Sequence, residues 1–211
     1  GNLDQHLMQG LETKGVPQAL AGTTIPFVYN DIEDFEKTIK DKHIGTVIME
    51  VTRNYPPNKG YLEYIRKRTS ELGIILIFDE CSSAFRETFG GIHLKYGVEP
   101  DLLTLGKTLG NGYAITALIG KKSIMNSAQS SFISSTFWSE RIGSAAALAT
   151  LDVFEKNKVW EILPKIGNKV KENWQKISSE TGVEIIITGI DAMPRFNFIK
   201  DANNIIRTYF T

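Results

Sequence analysis

Apolar positions change their period several times along the chain, and each change marks an element. Asn30-Asp31 offers a helix N-cap, and Ile32, Phe35 and Ile39 follow at helical spacing through Lys40. Gly45 to Val51 is β-branched and apolar nearly throughout, the pattern of a strand buried on both faces within a parallel sheet. Pro56, Pro57, Asn58 and Gly60 then break the chain, and Tyr61, Leu62, Ile65 and Leu72 stripe a helix that Gly73 closes. Ile74 to Phe78 is the most apolar strand candidate, and it ends abruptly in Asp79-Glu80. After a loop from Cys81 to Pro100, the segments Asp101 to Leu105 and Ala114 to Gly120 predict two more strands, with Gly106, Gly110 and Gly112 between them. A long helix is expected from Glu140 to Lys156, with Gly143 to Ala147 as a small, closely packing face and Ile142, Ala149, Val153 and Phe154 as its apolar one. Val159, Leu163, Ile166, Val170, Trp174 and Ile177 predict a second helix, which Gly182 ends. Val183 to Thr188 and Phe196 to Ile199 read as strands of a later layer.

Alternating strands and helices place the chain in the α/β class, with a mostly parallel central sheet flanked by helices. Residues 1–155 are expected to form one domain, and 156–211 to begin a smaller α+β domain that is not finished by Thr211. With 211 residues, 42% hydrophobic and 23% charged, the chain has enough apolar material for a real core. The formal net charge is zero, which gives no overall electrostatic case for nucleic acid or an anionic membrane as partner. Cys81 is the only cysteine, so no intrachain disulfide forms and a cytoplasmic setting is expected. No apolar run approaches the ~18 residues of a membrane span.

Ligands of open α/β sheets bind at the carboxyl ends of the strands, which draws attention to Asp79 and to Lys107. Three readings compete. An apolar strand ending in Asp-Glu and a Gly106-Lys107-Thr108 tripeptide resemble pieces of a nucleotide triphosphatase, but the phosphate loop needs a glycine where Asp101 stands. Alternatively, Asp79 merely caps a turn and Lys107 is merely solvated. The third reading joins the two. Pyridoxal phosphate requires a lysine for its Schiff base and a carboxylate facing its pyridine nitrogen. Lys107, set between an apolar strand and a glycine-rich stretch, is expected to be buried there, and desolvation would make it a neutral nucleophile toward an aldehyde.

Several motifs reinforce this third reading: Phe27-x-Tyr29-Asn30-Asp31 before a helix, Val47-Ile48-Met49-Glu50, Leu76-Ile77-Phe78-Asp79-Glu80 followed by Ala84-Phe85-Arg86, Gly97-Val98-x-Pro100-Asp101-Leu102, Leu105-Gly106-Lys107 and Ser135-Thr136-Phe137. In this combination the chain resembles the class-III aminotransferases of the fold-type I pyridoxal-phosphate enzymes, in the style of glutamate-1-semialdehyde aminomutase and its relatives. The resemblance implies pyridoxal 5'-phosphate as cofactor and transfer of an amino group between small-molecule donors and acceptors, by an aminotransferase or an aminomutase. It makes Lys107 the Schiff-base lysine and Asp79 the partner of the ring nitrogen. Thr136 would serve the cofactor phosphate of a neighbouring subunit, which implies a homodimer with shared active sites. Cys81 falls where the family has Val or Ile against the ring.

Other positions depart from the family. Glu50 matches a family Glu at a strand end, but Val51 and the Arg53 to Pro56 stretch differ from the loop expected there. Arg86 has the chemistry to bind a substrate carboxylate, with a structural ion pair as the preferred reading. His6, His43 and His93 lie in unrelated contexts without metal-ligand spacing and receive no role. Phe137 and Trp138, beside Thr136, are candidates for burial at a subunit interface. The Gly/Ser/Thr loop with which the family grips the phosphate is not recognisable in Gly1 to Pro26, so the chain reads as a fragment that would bind cofactor poorly by itself. A non-catalytic fold-type I scaffold is the alternative to an enzyme.

Overall fold

Short β-branched runs separated by a helix-length segment cannot close as tight hairpins, and here they pair in parallel across a crossover. The computed structural model describes residues 12–40, 43–200 and 205–210. His6 and the first part of the stretch searched for a phosphate loop lie outside the described residues. The chain divides into two compact units, Gly1–Gly45 and Thr46–Thr211.

In the first unit, helix α1 (Ile32–Lys40) buries Phe35 and Ile39. Its N-terminus is closed as the sequence predicts: Asp31 Oδ1 accepts from the Asp34 N–H at 2.9 Å, and Asp34 Oδ2 accepts from the Val28 N–H at 2.7 Å.

The second unit is built on a four-stranded sheet in the order β1-β2-β3-β4, from Thr46–Met49, Ile75–Asp79, Leu102–Leu105 and Ala117–Gly120. β1, β2 and β3 run parallel, and β4 returns antiparallel beside β3. β4 begins later than the apolar pattern indicates, because the Ile115 N–H turns back to the Tyr113 carbonyl at 2.9 Å before pairing starts. Helix α2 (Tyr61–Glu71) packs on β2 and buries Tyr61, Leu62 and Ile65. Val47, Met49, Leu76, Phe78, Leu103 and Leu105 are the buried side of the strands.

The other side corrects an expectation. β1 is not buried on both faces: Val47 and Met49 are covered, but Ile48 is 56% exposed. In register with it lie Ile77 and Leu102, half-buried, and Leu118, 49% exposed, stands opposite Thr104 on β4. The described residues therefore cover one face of the sheet and leave an apolar face open.

Beyond β4 come a short helix α3 (Lys122–Met125), the long helices α4 (Ile142–Asn157) and α5 (Val159–Thr181), the antiparallel pair β5 (Ile185–Thr188) and β6 (Arg195–Phe198), and α6 (Ile205–Phe210). Glu140 stands before α4, and its carboxylate accepts from the N–H groups of Ile142 at 2.8 Å and Gly143 at 3.3 Å, satisfying donors a helix start leaves open. Lys158, at φ +48°, makes the break between α4 and α5. Trp174, Phe196, Phe198 and Phe210 form an edge-on aromatic cluster between α5, the hairpin and α6.

Candidate active site

Parallel pairing brings the ends of β2 and β3 to the same edge of the sheet, and with them the acid and the lysine. Asp79 closes β2 opposite Thr104 of β3. Its Oδ1 accepts from the Thr104 hydroxyl at 3.0 Å and from the Cys81 N–H at 3.1 Å. Oδ2 has no hydrogen-bond partner among the described residues, so an oriented carboxylate oxygen is free to face a donor from outside. Cys81 is half-buried, with Sγ 3.7 Å from the Thr104 hydroxyl oxygen. A Cβ on Gly106 would stand 3.2 Å from that Sγ and 3.4 Å from Thr116 Cγ2, which explains a glycine just before the lysine.

Lys107 follows two residues after β3 ends, at a φ of +39° that a residue with a Cβ rarely adopts. Its Nζ donates to the Ser82 hydroxyl at 2.8 Å. Contrary to expectation, the lysine is exposed rather than buried. It stands at an open edge of the sheet rather than inside the fold. Ser82 is buried, and its carbonyl accepts from Arg86 Nε at 2.5 Å.

Glu50, just past β1, completes the group. Its carboxyl is pushed above the ordinary range chiefly by burial and also by the negative charge of Asp79. Arg53, 3.3 Å from it, and Lys107 act in the opposite direction. Glu50, Asp79 and Lys107 thus lie within electrostatic reach of one another.

Glu80, next to Asp79, serves the fold. Fully buried, it accepts from the backbone of Ile92 and from His93 N–H at 3.0 Å and Nδ1 at 2.7 Å. These bonds fasten the far end of the long loop beneath β2, and they give His93 a structural task. Arg86 departs from the sequence reading in the other direction: it has no ion pair among the described residues. Thr136 is exposed, in a turn between Ser135 and Trp138, and makes no hydrogen bond to Asp79, Cys81 or Lys107.

Asp79, Cys81 and Lys107 are therefore brought together, and no hydrogen bond among the described residues joins Thr136 to them. Sequence reasoning missed Thr104 and Ser82. Thr104 was findable, since strand alternation from Asp101 puts it on the side that Asp79 shares; nothing local marks Ser82.

These residues suit pyridoxal phosphate in donor chemistry: a carboxylate with a spare oxygen for a ring N–H, and a primary amine for an aldehyde. A family model described as Aminotransferase class-III matches residues 13–209. The chain is 35% identical over 198 residues to a 3-aminobutyryl-CoA aminotransferase of Cloacimonas acidaminovorans, covering 89% of this chain and 47% of that protein. It is 33% identical over 198 residues to a glutamate-1-semialdehyde 2,1-aminomutase of Hyperthermus butylicus, covering 89% and 46%. It spans just under half the length of these relatives. Its fold matches the PLP internal aldimine form of the FumI protein of Sphingopyxis sp. MTA144 with a TM-score of 0.79 and 28% identity, over 84% of this chain and 45% of that one. An omega-transaminase from Sphaerobacter thermophilus shares the fold at a TM-score of 0.79 and 24% identity, over 90% and 45%. With the family model matched across nearly its whole length, this chain belongs to the class-III aminotransferases, pyridoxal-phosphate enzymes of fold-type I.

Proposed function

We propose that the protein carrying this chain transfers amino groups with pyridoxal 5'-phosphate, as an aminotransferase or an aminomutase of the glutamate-1-semialdehyde type. The observation that carries the reading is the spare oxygen of Asp79 beside an accessible Lys107 on the same sheet edge. When bound, the cofactor supplies a Schiff-base carbonyl and a protonated ring that draws electrons from the substrate Cα.

The chain's own residues do the rest. Asp79 Oδ2 would hold the ring-nitrogen proton by a charge-assisted bond, and Thr104 and the Cys81 N–H fix the orientation of its carboxylate. Cys81 would pack on the ring, where the family has an aliphatic residue. Lys107 would hold the cofactor by its aldehyde, and its amine, when free, would take the proton from Cα and return it as general base and acid. Ser82 Oγ holds Nζ when the amine is free.

Thr136 would serve the phosphate in a neighbouring subunit, and the homodimer this requires is supported by the exposed Phe132, Phe137, Trp138 and Ile142 near it in the chain. A division near residue 155 into a cofactor domain and a smaller one, and a cytoplasmic setting, belong to the same proposal. No helix among the described residues is long and apolar enough to cross a membrane.

Visible absorbance of the full-length protein tests the reading. A cofactor band lost in Lys107→Ala, with turnover reduced by roughly a thousandfold or more, is expected. Absence of the band in the full-length protein would overturn it in favour of a scaffold. Dependence of turnover on an added keto acid separates aminotransferase from aminomutase.

A further inference from the structure

Glu50 follows β1 as Asp79 closes β2, and the two carboxyl groups belong to neighbouring strand ends. Met49 pairs with Phe78, so one residue further on Glu50 comes level with Asp79, which is itself paired with Thr104. Strand alternation puts Glu50, Asp79 and Thr104 on the open face of the sheet, in a polar row beyond Ile48, Ile77 and Leu102. Each carboxyl has an oxygen without a partner among the described residues. Asp79 spends Oδ1 on Thr104 and the Cys81 N–H, and Glu50 has only Arg53, whose Nη1 lies 3.3 Å from Oε1. The charged groups that face Glu50 are Arg53 on its own loop, Asp79 on β2 and Lys107 after β3.

Neighbouring carboxylates repel when both are ionised. Burial, and then the charge of Asp79, make Glu50 keep its proton to a higher pH than an ordinary carboxyl. A cation seated on Asp79 would cancel that repulsion, and Arg53 is already placed to balance the charge Glu50 acquires. The protonated ring nitrogen of pyridoxal phosphate is the cation proposed for Asp79. We propose that Glu50 is a positioning residue for the cofactor ring: it releases its proton to solvent as the ring binds, and its ionised carboxylate then helps Asp79 keep the ring nitrogen protonated. This rests on the proposed amino-transfer function and deepens it. The sign follows from linkage. A site that loses a proton on binding gains affinity as pH rises through the range in which the empty site still holds that proton.

Calorimetric titration of the full-length protein with pyridoxal 5'-phosphate, in buffers of different ionisation enthalpy, counts the protons exchanged from pH about 8 down to about 5. In the acid half of that range the parent should release more protons, or take up fewer, than Glu50→Gln. On acidification its affinity should fall roughly three- to tenfold further than that of the variant. Glu50→Asp should restore part of the difference. Equal proton counts and equal pH dependence in parent and Glu50→Gln, both binding cofactor, would overturn the inference and leave Glu50 as a partner of Arg53 alone. A parent that binds no cofactor at any pH is a separate result, which overturns the amino-transfer reading and this role with it. A second arm needs neither cofactor nor a folded Glu50→Gln: in the empty protein, the Glu50 carboxyl titration followed by carbon NMR should move toward the ordinary carboxylate range in Asp79→Asn. A titration that Asp79→Asn leaves in place overturns the inference.

Discussion

Buried carboxylates survive only with donors around them, and Asp101 shows how the residues of this fold meet that requirement. Its side chain accepts from the Leu76 N–H at 2.8 Å, Lys121 at 2.6 Å and Arg66 at 2.9 Å, tying β2, β4 and α2 to the start of β3. Burial pushes its pKa up, but these three bonds outweigh it and hold the carboxyl below its ordinary value. A pKa lowered by folding contributes stability in full above the unfolded carboxylate range, and the contribution is lost as pH falls through that range toward the folded value. Asp101→Asn should therefore cost about 2–4 kcal/mol near neutral pH in denaturant titrations, with the gap to the parent narrowing as the solution is acidified. The same scale shows what of the site was legible. Asp79 and Lys107 stood out because each ends an apolar strand. Ser82 and the missing ion pair of Arg86 did not, because they depend on the turn after β2, where backbone conformation rather than side-chain pattern decides what meets.

Elements were legible where a periodic stripe met a clear stop, as in α2 before Gly73 and α5 before Gly182, whose φ is +71°. The two-faced burial expected of β1 failed, since composition tells how apolar a strand is and not whether another layer covers it. Close approach of elements was also hidden. Gly167, inside α5, sits against the turn that joins β5 to β6, and a Cβ there would stand 1.7 Å from the Asp191 carbonyl oxygen. Alanine usually improves a helix interior, by about 1 kcal/mol over glycine. At Gly167 the sign should reverse, because backbone has to move: Gly167→Ala is expected to destabilise by roughly 1–3 kcal/mol in thermal or chemical melts. Gly182→Ala would be a poor control, as its positive φ adds strain of a different kind.

At the largest scale, the described residues leave several large apolar side chains uncovered. Phe132 is 98% exposed, and Phe137 and Trp138 are each more than two-thirds exposed. If these residues form the proposed subunit contact, Trp138→Ser in the full-length protein should weaken the dimer by 2 kcal/mol or more, a roughly thirtyfold rise in dissociation constant by sedimentation. Cofactor absorbance should then depend on protein concentration, because Thr136 would serve the site across that contact. The hairpin of β5 and β6 has a different kind of reach. The Gly189 N–H donates to the Asn54 carbonyl, Arg195 to the Asn54 side chain at 2.7 Å, and the Ala192 N–H to Glu87. Asn54 follows Arg53 on the loop that carries Glu50, and Glu87 follows Arg86, so both loops at the mouth of the site are tethered to one remote turn. For directed evolution, that turn is a steering point: substitutions between residues 189 and 195 would act on both loops at once, through hydrogen bonds to Asn54 and Glu87 rather than through Asp79 or Lys107.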